Sequence, residues 1–198
     1  MSFSQDVRQA LQNTILDKDQ SFSCLYGMLL YSRIFTSQRI CFQSESGTVA
    51  TLFPKLMHSV FSFPSEAVIL ERGRGGLYSL SLQNEQQIAV ICNRYHIHLD
   101  DRQINLCNIV QNSMPAFFAG VFLTCGSIMD PNKSYHLEFV TPTVTLCNDL
   151  CIFLNQLLGI KGHILQRKQA FVLYVKDSEQ IEDILTFMGA QQCTLDLM

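Results

Sequence analysis

Residues 118–126 read Phe118-Ala119-Gly120-Val121-Phe122-Leu123-Thr124-Cys125-Gly126, and this stretch decides the fold. It is almost wholly apolar with a glycine near its centre. Pro115 opens it, and proline suits a first helical turn because its missing N–H has no partner to lose there. The pattern predicts a helix from Pro115 to about Cys125. An earlier stretch, Leu25-Tyr26-Gly27-Met28-Leu29-Leu30-Tyr31-Ser32-Arg33, has a similar character and falls in a predicted helix from about Phe22 to Ile34. Glycine lets two backbones approach closely, so Gly27 and Gly120 mark the expected crossing of these two helices.

The elements around each stretch follow one order. In the first half, Ser2 to about Leu16 is a helix opened by a Ser2/Gln5 capping box, with Val7, Leu11 and Ile15 on one face. After the Gly27 helix come a strand at Arg39–Gln43 and a helix at Thr48–Phe61, with Pro54 as an expected kink. Strands at Ala67–Glu71 and Leu77–Leu82 flank the turn Arg72-Gly73-Arg74-Gly75-Gly76, and a helix runs over about Asn84–Arg94. Residues 96–112 read as a polar connector. In the second half the Gly120 helix precedes a strand at Tyr135–Val140 and a helix at Thr143–Leu158. The hairpin His163–Lys168/Phe171–Val175 follows, then a helix at Ser178–Met188. Helix–strand–helix–hairpin–helix thus occurs twice. Thr48-Val49 matches Thr143-Val144, Glu85-Gln86 matches Glu179-Gln180, and Gly27 matches Gly120, at offsets of 95, 94 and 93 residues. Shared order and near-constant offset point to an internal duplication, with repeats at 1–95 and 113–198 in one 1–198 domain.

The nine residues 118–126 resemble the LAGLIDADG motif of homing endonucleases, and 25–33 is a weaker echo. The resemblance implies an α+β fold in which two motif helices pack on a pseudo-two-fold axis and two antiparallel sheets form a saddle. In that family the eighth motif residue is an acid at the foot of each helix, and the pair holds the divalent ions of phosphodiester cleavage. Here those positions are Ser32 and Cys125. Neither is a hard anionic ligand, so the expectation is no metal, no cofactor and no enzyme. Asp130, five residues beyond Cys125, is a poor substitute. A longer segment, Gly126-Ser127-Ile128-Met129-Asp130-Pro131-Asn132-Lys133-Ser134-Tyr135-His136-Leu137-Glu138, is similar to Gly-Ser-x-x-Asp-Pro-x-Lys-Ser-Tyr-His-Leu-Glu of the WhiA family. Lys176-Asp177-Ser178-Glu179-Gln180-Ile181, Met188-Gly189-Ala190 and Met1-Ser2-Phe3-Ser4 fit the same family. WhiA proteins are bacterial transcription regulators with a degenerate homing-endonuclease-like domain followed by a helix-turn-helix domain. The resemblance implies a role in sporulation or cell-division gene control. It also places the start of the helix-turn-helix domain at about Met198. The family's basic stretch before the second motif is replaced by Asn108-Ile109-Val110-Gln111-Asn112-Ser113-Met114-Pro115.

Composition agrees with a regulator more than with a strong nucleic-acid binder. Net charge is −3 and pI about 5.9, whereas duplex binding draws most of its affinity from basic side chains. Charged residues are 16%, under the usual ~25%, which leaves apolar surface for a partner. No apolar run reaches the ~18 residues of a membrane helix, and the first residues are not a signal peptide. The eight cysteines then read as free thiols in a reducing compartment, with Cys147 and Cys151 as small core residues. The expected location is the cytoplasm, at the nucleoid.

Candidate contact residues lie on the hairpins. Arg72, Arg74, Arg167, Lys168 and Lys176 would touch phosphates if the saddle met DNA, or would simply solvate their turns. His96 and His98 with Asp100 and Asp101 read as polar connector rather than a metal site. His136 and Glu138 share a strand face, with no nucleophile beside them. The expected function is non-catalytic: weak DNA contact, or contact with another regulatory protein. The alternatives are an endonuclease relic with residual cleavage, or a ligand- or protein-sensing module reusing the fold.

Overall fold

A computed structural model describes residues 2–194. Helix α1 (Phe3–Gln12) opens with the Ser2/Gln5 capping box and buries Val7 and Leu11. It stops four residues short of the expected end, because Thr14 turns its hydroxyl onto the Leu11 carbonyl at 2.7 Å and Asp17 caps the next helix. Helix α2 (Lys18–Leu30) begins four residues earlier than periodicity suggested, since the Asp17 carboxylate accepts from Gln20 N at 2.7 Å. It also ends earlier: Ile34 is already strand β1 (Ile34–Phe35), paired to Cys41.

Strand β2 (Ile40–Ser44) leads into α3 (Gly47–Phe61), which continues through Pro54 as one helix. Strands β3 (Ile69–Arg72) and β4 (Tyr78–Leu82) flank a turn in which Gly75 and Gly76 have φ of 74° and 83°, a region that side chains disfavour. Helix α4 (Glu85–Tyr95) closes the first half. The second half holds α5 (Met114–Cys125), β5 (Gly126–Ile128), β6 (Leu137–Thr141), α6 (Val144–Leu158), β7 (His163–Arg167), β8 (Ala170–Val175), α7 (Ser178–Met188) and the short α8 (Gln191–Thr194). Gly126, the last residue of the motif stretch and a candidate for motif-helix packing, is the first residue of β5. The two edge strands β1 and β5 are therefore additions to the expected order.

Both sheets are four-stranded and antiparallel, and their orders correspond: β1-β2-β4-β3 and β5-β6-β8-β7. The registers correspond as well. The central ladder of one runs from Ile40↔Leu82 to Ser44↔Tyr78, and that of the other from Leu137↔Val175 to Thr141↔Phe171. Residues facing each other across a ladder share a sheet face. Ile40, Phe42, Leu80 and Leu82 in one sheet, and Leu137, Phe139, Leu173 and Val175 in the other, turn into the core. Helices α2 and α5 lie at its centre, with 23–30 and 116–123 buried residue after residue. A helix that meets neighbours on all sides needs an apolar surface all round, which explains the unbroken apolar run of α5. This is the LAGLIDADG homing-endonuclease-like α+β architecture.

Candidate nucleic-acid interface and the feet of the motif helices

The glycines set the distance between α2 and α5. A Cβ added to Gly120 would run into the Cys24 carbonyl, and one added to Gly27 would meet the Phe117 carbonyl and lie 3.0 Å from Val121 N. Gly126 is extended, and a Cβ there would sit 2.7 Å from Phe122 Cα. Near the feet the helices are joined by Thr124, whose hydroxyl donates to the Met28 carbonyl at 3.3 Å.

The two foot positions have no metal-binding character. Ser32 is fully buried, and its hydroxyl donates to the same Met28 carbonyl at 3.0 Å. Burial pushes the Cys125 thiol far above its ordinary range, with Cys147 adding to the rise and Arg8 opposing it, so it stays protonated. A guanidinium faces each helix end. Arg102 donates through one nitrogen to Leu30 O at 2.8 Å and to Ser32 O at 2.7 Å, and lies over the Phe35 ring. Arg8 donates to Gly126 O at 2.7 Å and to the Ser4 hydroxyl at 2.8 Å, and lies over Phe122. Burial lowers the pKa of both, Arg102 to about 10. The last carbonyls of a helix carry partial negative charge and lack intrahelical donors, and these cations satisfy them. A divalent ion does not fit feet that offer a hydroxyl, a protonated thiol and two cations. Among the described residues there is also no cluster of three or more His, Cys, Asp or Glu able to hold a metal.

The two arginines are equivalent and crossed. Arg8 precedes α2 but caps α5, while Arg102 precedes α5 but caps α2. They lie 94 residues apart, inside the matching runs Asp6-Val7-Arg8-Gln9 and Asp100-Asp101-Arg102-Gln103. Sequence reading of motifs and hairpins passed over this pair, although its offset equals that of Glu85 and Glu179. The connector that supplies Arg102 is fixed in place. Ile104 N donates to Asp149 Oδ2 at 3.0 Å, Asn105 N to the Tyr26 hydroxyl at 2.8 Å, and Asn108 Nδ2 to Tyr95 O.

The faces of the sheets turned away from the core differ. On the first sheet, Ile34, Cys41, Ser81 and Ile69 form one rung, with Gln43, Ser79 and Glu71 on the next. The equivalent rungs of the second sheet are Ser127, Glu138, Tyr174 and His163, then Val140, Val172 and Leu165. Tyr174 stacks between His136 and His163, with ring centroids at 5.7 and 5.4 Å, and Lys176 Nζ lies 5.4 Å from its centre. Arg167 grips Glu138 with two bonds of 3.1 and 3.3 Å, and His136 Nε2 is 3.2 Å from the same carboxylate. Burial pushes Glu138 up, but the hydrogen bonds and charges of Arg167 and His136 outweigh it and hold the carboxyl below its ordinary range.

Of the five candidate contact residues, Arg167 and Lys176 thus share the second sheet's outer face, and Lys168 sits at the tip of its hairpin with φ of 56°. Arg74 is in the first hairpin's turn. Arg72 faces Tyr78 and lies over its ring, on the side of the sheet that carries Leu80. The structure therefore puts Arg167 and Lys176 on one face, leaves Lys168 at that hairpin's tip and separates Arg72 from the saddle face. His96 and His98 lie in the connector loop with Asp101, apart from the saddle. No helix among the described residues is long and apolar enough to cross a membrane.

Comparison with known proteins agrees with this geometry. Residues 114–197 match the WhiA LAGLIDADG-like domain family. The whole chain aligns at 26% identity with the probable cell division protein WhiA of Clostridium botulinum, spanning 67% of that protein. In fold it matches full-length DUF199/WhiA from Thermatoga maritima, with a TM-score of 0.76 and 20% identity over all of this chain and 65% of that one. It also matches the homing endonuclease I-WcaI bound to its DNA recognition sequence, with a TM-score of 0.54 and 15% identity over 93% of this chain and 88% of that one. Residues 114–197 are thus similar to the WhiA LAGLIDADG-like domain, and the whole length is similar to WhiA relatives in sequence and in fold.

Proposed function

We propose that this chain is a non-catalytic regulatory domain of a WhiA-like DNA-binding transcription regulator, serving sporulation or cell-division gene control at the nucleoid. The observation that carries this reading is the crossed pair Arg8 and Arg102 on the feet of α2 and α5. Where an endonuclease needs two carboxylates and divalent ions, this domain has cations bonded to backbone carbonyls, so no water is activated there. What remains is recognition. The second sheet's outer face offers Arg167, Lys176 and the neighbouring Lys168 to the phosphates of duplex DNA. A net charge of −3 keeps that contact weak and salt-sensitive, and sequence reading falls to a helix-turn-helix domain.

Contact with a regulatory protein is the second reading. The rung Val140–Val172–Leu165 favours it, since two of these side chains are more than a third exposed on that same face. The test is incubation with supercoiled plasmid in Mg²⁺ or Mn²⁺ beside titration of random duplex at roughly 50 and 200 mM salt. The domain reading expects no nicking and weak binding that fades with salt. Metal-dependent nicking abolished by Asp130→Asn or Glu138→Gln contradicts it and restores the relic endonuclease. No binding at either salt moves the function to the protein contact.

A further inference from the structure

Resting on the DNA-contact reading, we propose that the second sheet holds a latent phosphate-binding site whose present occupant is the carboxylate of Glu138. The site consists of Arg167, His136, Tyr174 and Lys176. Arg167 presents a two-pronged grip, with its nitrogens 3.1 and 3.3 Å from the two carboxylate oxygens. This is the arrangement by which a guanidinium takes a phosphate or a carboxylate alike. His136 Nε2 adds a third contact at 3.2 Å, and Lys176 stands over Tyr174. Arg167 and His136 meet one anion, Tyr174 faces it across the ladder, and Glu138 is the only acid on the rungs of this face.

Its side chain is 15% exposed, while that of Arg167 is 53% exposed. The cation therefore reaches solvent and the anion lies behind it. A DNA phosphate approaching the saddle competes with Glu138 for Arg167 and is repelled by the same carboxylate. The equivalent position in the first sheet is Cys41, with Arg39 Nη2 3.8 Å from its sulfur and no carboxylate on that rung. Glu138 thus acts as an internal brake on the cations of the second sheet's outer face.

The experiment titrates a 30-base-pair random duplex against the whole chain and three variants, Glu138→Gln, Glu138→Ala and Glu138→Gln/Arg167→Gln, at roughly 50 and 200 mM salt, with melting curves alongside. Releasing Arg167 adds about one phosphate contact, so the single variants bind about three- to tenfold more tightly at low salt, with a salt slope steeper by about one. The double variant loses that gain. Two single variants guard against one of them failing to fold. If the wild type binds and neither single variant binds better, the latent site is wrong and the DNA-contact reading stands. If the gain survives in the double variant, the effect is general loss of negative charge and the site is again wrong. If nothing binds, both readings fall together.

Discussion

The two halves of this domain agree in their interior and differ on their surface. Inside, Gly27 answers Gly120 and Arg8 answers Arg102, each pair doing one job on both sides of the helix crossing. Outside, Ile34–Cys41–Ser81–Ile69 on the first sheet stands against Ser127–Glu138–Tyr174–His163 on the second. Backbone clashes and unbonded carbonyls penalise changes at the crossing and the feet, whereas an outer sheet face is free to take on separate work. The contrast assigns stability to the shared interior and, on the proposed reading, recognition to the second sheet's outer face.

The interior half of that contrast breaks most severely at the glycines. Gly120→Ala presses a methyl group into the Cys24 carbonyl, and overpacking at a backbone contact costs about 3 kcal/mol. For a chain of this size that is a fall in Tm of about 6–12 °C, measurable by calorimetry. Arg102→Leu comes next. It leaves the carbonyls of Leu30 and Ser32 without donors, at about 1–3 kcal/mol for buried acceptors, read from denaturant midpoints. Arg8→Leu acts in the same direction at the other foot and by less, because Arg8 is less fully enclosed.

The feet can also be tested by trying to rebuild them. Ser32→Asp/Cys125→Asp puts an acid at each foot, but each new carboxylate meets the guanidinium already there. Calorimetric titration with Mn²⁺ is expected to show no binding in this double variant. Saturable Mn²⁺ binding would mean that the arginines do not control the feet.

These features were unequally legible in the sequence. The glycine-centred runs, the hairpin glycines and the helix starts near Asn84, Thr143 and Ser178 are local signals, and each predicted element around them is present. Strands β1 and β5 have two and three residues, too few for a period to show; β5 takes the last residue of its motif stretch and β1 the end of the predicted helix. The start of α2 was hidden because its first turn, Lys18-Asp19-Gln20, is polar. The role of Arg102 was invisible for a different reason. It lies in a connector with no periodicity, and its partners Leu30 and Ser32 are 72 and 70 residues away. Only the repeated Asp-x-Arg-Gln run could have revealed it. The outer-face contrast needed the ladder register, which shows which side chains stand beside Glu138.

A smaller effect separates the faces by pH. The folded state holds Glu138 below its ordinary pKa of 4.5. Its ion pair therefore adds stability in full above that value and loses it as the pH falls through the lowered folded-state pKa. Chemical denaturation at pH 7 and pH 3 should show an acid loss of stability that is smaller in Glu138→Gln than in the wild type.

The most direct test of the account compares the two faces in one DNA titration at low and moderate salt. Arg167→Gln/Lys168→Gln/Lys176→Gln removes the second sheet's cations, and Arg72→Gln/Arg74→Gln removes those of the first hairpin. The first set is expected to abolish salt-sensitive binding to random duplex, while the second leaves it within about threefold of wild type, roughly one phosphate contact. Equal losses from both sets, or binding that depends on Arg72 and Arg74 alone, would contradict it.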